Sequence, residues 1–116
     1  MNPYDKAHEL ARALQNSQEF QLLELLKKSV DQDSAVKKLL DDYRRRQWEL
    51  ETRRLMGEEI TQEDLGQMAR LQEALTSNET ARQYLAAEYQ FGLMYSDIHK
   101  ILGDAVRLVI AQPTNV

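Results

Sequence analysis

The nitrogen ligands that most often hold metals come from two residues here, His8 and His99, and neither sits in a metal-binding pattern. His8-Glu9 opens like the helical zinc-protease motif, but that chemistry needs a second histidine four residues on, where Arg12 stands. His99 also lacks a histidine at helical spacing, so both are read as surface or boundary imidazoles and no metal or other cofactor is expected. The acid pairs Asp41-Asp42 and Glu58-Glu59 offer the right groups for acid–base work. Adjacent helix positions diverge by about 100°, however, so neighbours cannot address one reacting atom. No serine, threonine or lysine carries a nucleophile signature, and no glycine-rich run could cradle a phosphate. With no cysteine, thiolate chemistry, disulfides and cysteine-ligated clusters are excluded. No catalytic residue is expected, and the chain is not read as an enzyme.

A second kind of chemistry is phosphate contact. Arg44-Arg45-Arg46 and Arg53-Arg54, with Tyr43 and Trp48 nearby, form the one stretch with the residue types of a nucleic-acid surface. On a helix the successive arginines spread around the cylinder. Asp41, Asp42 and Glu49 stand four residues before Arg45, Arg46 and Arg53, the favourable order for intrahelical ion pairs. The reading is a salt-bridged exposed face, with RNA contact through Arg44, Arg45, Arg53 and Arg54 as the alternative. A formal charge of −4 also weighs against nucleic acid as a partner.

The elements that carry these residues are helices. Four glycines and two prolines in 116 residues, with both prolines at the extremities, leave little material for the turns of a β fold. Asn2 caps a first helix with Pro3 at its first position and Tyr4, Ala7, Ala11 and Leu14 on its apolar face, ending near Asn16. Ser17 opens a second through Phe20, Leu22, Leu23, Leu25, Leu26 and Val30, leucine-rich on more than one side and so expected to be deeply buried. After Asp31-Gln32-Asp33-Ser34 a third helix runs to Met56, with Val36, Leu40, Tyr43, Gln47 and Leu50 inward and a left-handed Gly57 at its end. Thr61 and Asp64 make a capping box for a fourth, carrying Leu65, Met68, Leu71 and Leu75, and Ser77 or Asn78 starts the last. The expectation is an all-α, elongated antiparallel bundle of about five helices. It forms one domain over residues 1–112, with a flexible tail at 113–116.

The terminal helix is the unusual one. Tyr84, Glu88, Phe91, Tyr95, Ile98, Leu102, Ala105 and Val109 step four then three, an apolar seam broken only by Glu88. Uninterrupted by proline over 79–112, that helix would be about 33 residues and roughly 50 Å long. A compact chain of this size is only about 35 Å across. The seam therefore outruns its own globule and predicts a homodimer or larger homo-oligomer. Gly92 and Gly103 lie in a stripe beside it, where another backbone is expected to approach closely, and Glu88 is expected to face a basic residue of a neighbouring chain or to stay wet. Whether the seam meets its own copy or the third helix of the same chain stays open. Trp48 and Leu55, seven residues apart, are a possible secondary interface or the edge of the monomer's own core.

Several of these parts together resemble the YlbF/YmcA family, and its YheA-type branch in particular. They are Tyr4-Asp5-Lys6-Ala7-His8-Glu9-Leu10-Ala11, the Ser17-Gln18-Glu19-Phe20 break, Gln47, the Gly57-Glu58-Glu59-Ile60-Thr61 turn and Asn78. The resemblance implies a small all-helical cytoplasmic protein of Gram-positive bacteria that forms dimers or larger assemblies. It also implies a regulatory role with a protein partner, since YlbF and YmcA act in competence, sporulation and biofilm development through the RNA-cleaving machinery. Members linked to iron–sulfur ligation use cysteines, and this chain has none, so that property does not carry over. The opening residues show no leader, and no window approaches the ~18 apolar residues of a membrane span.

Overall fold

A computed structural model of the chain describes residues 2–107 and Val109. It contains five helices among those residues: α1 (Pro3–Gln15), α2 (Gln18–Asp31), α3 (Ser34–Leu55), α4 (Gln62–Ser77) and α5 (Glu79–Val106). Each begins where a short polar side chain can occupy a free backbone N–H. Asn2, Ser17, Asp33 and Asn78 accept from the amides of Tyr4, Phe20, Val36 and Ala81 at 2.8–3.2 Å. At α4 the box is reciprocal: Thr61 Oγ1 accepts from Asp64 N at 3.1 Å, and the Asp64 carboxylate accepts from Thr61 N at 3.0 Å. Gly57 follows α3 at φ 82°, a left-handed conformation that turns the chain back toward α4.

The core is small and lies where four helices meet. Val30, Val36, Leu40, Leu75, Ala81 and Tyr84 bury one another where the end of α2, the start of α3, the end of α4 and the start of α5 converge. From there α2 runs antiparallel along α5, bringing the Phe20 ring to 5.7 Å from Phe91. In the other direction α3 and α4 form a hairpin. The α1 helix touches only α2.

This layout corrects three expectations. Gln47 is exposed, because α3 changes neighbours along its length. Its first turns bury Val36 and Leu40 against the core, whereas its later turns lean on α4 through Arg46, Leu50 and Arg53 and rotate Gln47 outward. The leucine-rich α2 is not deeply buried: Val30 alone is enclosed, while Leu22 and Leu25 stand in solvent, since α5 is its one neighbour over most of its length. Leu65 of α4 is exposed as well. The last helix ends at Val106 with Arg107 as its cap, and the expected continuation through residues 110–112 and the tail at 113–116 fall outside the described residues.

The result is open rather than round. The radius of gyration is 18.6 Å, against about 13 Å for a compact chain of this length. The extents are 53 × 42 × 15 Å, and the shortest leaves room for at most two helices stacked about 8–10 Å apart. Apolar side chains are sealed mainly where the four helix ends meet. Leu75→Ala, at 1% exposure, is therefore expected to lower unfolding stability by about 2–4 kcal/mol in a denaturant titration, several times the effect of Leu22→Ala.

Candidate interaction surface

The seam of α5 divides into a covered and an uncovered part. Tyr84 is buried in the core, and Phe91 is half-buried against Phe20 of α2. Aromatic contact continues along the helix: Phe91 stacks on Tyr95 at 6.0 Å, and Tyr95 meets the His99 ring edge-on at 4.6 Å. Beyond that point α5 outreaches α2. Tyr95, Leu102, Ala105 and Val109 are exposed, with Ile98 half-buried, and Ile101, one position off the seam, is 66% exposed. So the chain's own α2 lies along the first half of the seam, joined by α3 at Tyr84 and Glu88, while no other described helix lies along the second.

Glu88 pairs within the chain and stays partly in solvent, the second of the two arrangements expected for it. Arg44 of α3 donates to its carboxylate at 2.6 Å and Tyr84 Oη donates to the same oxygen at 3.2 Å, with the guanidinium 5.7 Å from the centre of the Tyr84 ring. Both charged side chains are nearly half exposed, which limits the pair to about 1 kcal/mol or less. Its effect is to fix the rotation of α5 against α3. Gly92 and Gly103 have open space where a Cβ would stand, so among the described residues no backbone makes the close approach expected there.

The arginine stretch is paired throughout, though with none of the acids four residues earlier that its spacing suggested. Arg45 meets Asp42, Arg54 meets Glu51, and Arg53 reaches Glu58 at 3.2 Å and Asp64 at 3.1 Å. Arg46 also contacts Asp64 at 3.1 Å, with Gln67 and Glu49 beside it. Asp64 is thus a buried node joining the α4 cap to two arginines of α3, a role that only its place in the capping box hinted at in sequence. Trp48 and Leu55 are 69% and 77% exposed, so they do not close the edge of this chain's core; Met56 joins them in solvent.

His8 lies on exposed α1, and among the described residues no three His, Cys, Asp or Glu side chains converge on a metal position. Two grooves flank the hairpin and the α2/α5 pair. One is lined by Asp42, Arg45, Arg46, Glu49, Gln67 and Arg70 and filled by ion pairs; the other is lined by Leu22, Leu26, Ala86 and Ala87 under a rim of Gln18, Gln83 and Gln90. Neither holds a nucleophile beside a base.

Comparison with known proteins matches residues 4–107 to the family described as control of competence regulator ComK, YlbF/YmcA. The chain belongs to that family. A UPF0342 protein of Caldicellulosiruptor bescii is 36% identical over 105 residues, covering 90% of this chain and 88% of that protein. Another, from Symbiobacterium thermophilum, is 39% identical over 103 residues, 89% of this chain and 92% of the relative. Two solved structures share the fold. A protein of unknown function (DUF964) from Bacillus stearothermophilus superposes with a TM-score of 0.76 at 20% identity, over 90% of this chain and 91% of its own. YheA from Bacillus subtilis gives 0.66 at 23% identity, over 95% and 100%. No described helix is long and apolar enough to cross a membrane.

The Asp64 node gives the fold a pH signature. Hydrogen bonds from the Thr61 amide and hydroxyl, then from Arg53, hold its carboxyl at about 2, below the ordinary 3.8. A folded value below the unfolded one means the contribution is complete above pH ~4 and disappears as pH falls through 2. Thermal unfolding midpoints of the wild type should drop across that window, and Asp64→Asn should show a lower midpoint at neutral pH with a flatter acid limb.

Proposed function

We propose that the protein is a non-enzymatic helical interaction module that self-associates through the uncovered part of the α5 seam and serves as an adaptor in a bacterial regulatory complex. The observation that carries this reading is surface left open. The accessible area is 9329 Å², whereas a compact monomer of this mass exposes about 6,500 Å². Half of that difference already exceeds one subunit's share of many obligate homodimer interfaces, about 1,000 Å² or more per chain. The excess includes apolar side chains of α5 that present a continuous stripe, the form of surface that a second helix covers. The regulatory part of the reading is supported by the family's tie to control of ComK.

Phe91 is a poor probe of association, because truncating it also strips α2 of its contact. Ile101 and Leu102 are 66% and 55% exposed. Leu102→Asp is expected to leave helicity intact and weaken association by at least about a hundredfold, from placing a charge in an apolar contact. Light scattering would read this directly, and an unchanged oligomer would overturn the proposed seam. The same preparations answer the RNA alternative: retention of RNA at low salt that decays steeply as salt rises would move the function to Arg44, Arg45, Arg53 and Arg54.

A further inference from the structure

The α1 helix is the second element that the chain leaves without cover. It has a well-separated apolar stripe of Tyr4, Ala7, Ala11 and Leu14, yet none of its residues is buried and Tyr4 is 78% exposed. Its 13 residues are too few for a helix to persist on its own in water, where about 12–15 is marginal even for alanine-rich sequences. Capping by Asn2 and Pro3 sets its start but supplies little of the missing stability. The stripe needs an apolar surface, and its one described neighbour, α2, leaves Tyr4, Ala7 and Ala11 exposed and Leu14 only half-buried.

That surface exists on the same molecule but out of reach. Both α1 and the free end of α5 leave the body at the end of α2 marked by Ser17 and Phe20, and they do not touch each other. The α1 stripe is about 15 Å long and residues 95–106 of α5 span about 17 Å, so each is the right length to cover the other. The charges of α1 cancel, Asp5 and Glu9 against Lys6 and Arg12, so the single net negative charge of residues 95–106, from Asp97 and Asp104 against Lys100, meets no net repulsion from it.

We propose, resting on the self-association argued above, that α1 of one copy lies on residues 95–106 of α5 from a second copy. A two-fold axis makes the exchange mutual, so a single operation covers both unpartnered elements of both chains. The contact is isologous and closes at two subunits, which limits growth into open chains. It also explains why α1 carries the apolar pattern of a packed helix while none of its residues is buried in its own chain.

The absence of cysteine allows a clean test in the full-length protein. A tagged Ala7→Cys chain and an untagged Leu102→Cys chain are mixed and treated with a short bis-maleimide; with one thiol per chain, no intrachain link can form. The expected main product is the mixed-size dimer. If Leu102→Cys links chiefly to itself, the α5 ends pair with each other and the α1 exchange is wrong although self-association stands. If neither link forms while the unmodified protein is dimeric, the exchange is again wrong; if the unmodified protein is monomeric, both readings fall. As a second arm, Ala7→Glu with Ala11→Glu changes only exposed positions. It should weaken dimerisation at least about tenfold with unchanged far-UV helicity, and an unaltered association constant would overturn the exchange.

Discussion

The structure depends on an unequal pairing: α2, at 14 residues, is the helix laid along α5, which has 28. At 1.5 Å per residue, α2 covers about half of its neighbour's length. The covered half becomes core, with Tyr84 buried and Phe91 against Phe20. The other half keeps the same four-three pattern with no other described helix opposite it. An apolar stripe costs free energy in proportion to the area it leaves in water, about 25 cal/mol per Å², so it remains a standing drive toward association.

The two ends of the molecule are stabilised by different means. At the α3/α4 end, where few apolar side chains converge, a capping box, a left-handed glycine and the Asp64 arginine node fix the hairpin by direction-specific contacts. Between that end and the α2/α5 pair, Arg44 joins α3 to Glu88 and sets the rotation of α5. These polar contacts contribute modest energy and considerable geometry. They settle which side of the long helix faces outward, and so which side is offered to a partner.

Helix boundaries were legible in the sequence because their causes are local. Asn2, Ser17, Thr61 with Asp64, and Gly57 act within four residues of themselves, and all lie at the ends they predict. Family membership was legible for the same reason, since the resemblance rests on those boundary patterns. What failed depended on neighbours distant in sequence. Gln47 shares the stripe of Val36 and Tyr43, and only the change of partner from the core to α4 turns it outward. The cation for Glu88 sits 44 residues away on α3, a pairing that no periodicity encodes. The leucines of α2 signalled burial correctly as chemistry, but one chain supplies a neighbour for only one of its sides. Of the candidate surface, the seam was visible from its spacing, whereas the point where cover ends required the observed reach of α2.

The most direct test of the central claim is sedimentation equilibrium of the unmodified protein from low micromolar to several hundred micromolar concentration. A mass at least twice the 13.5 kDa of one chain is expected over most of that range. A single 13.5 kDa species persisting at the highest concentration would contradict it, because the exposed half of α5 would then be stable in water without any second chain.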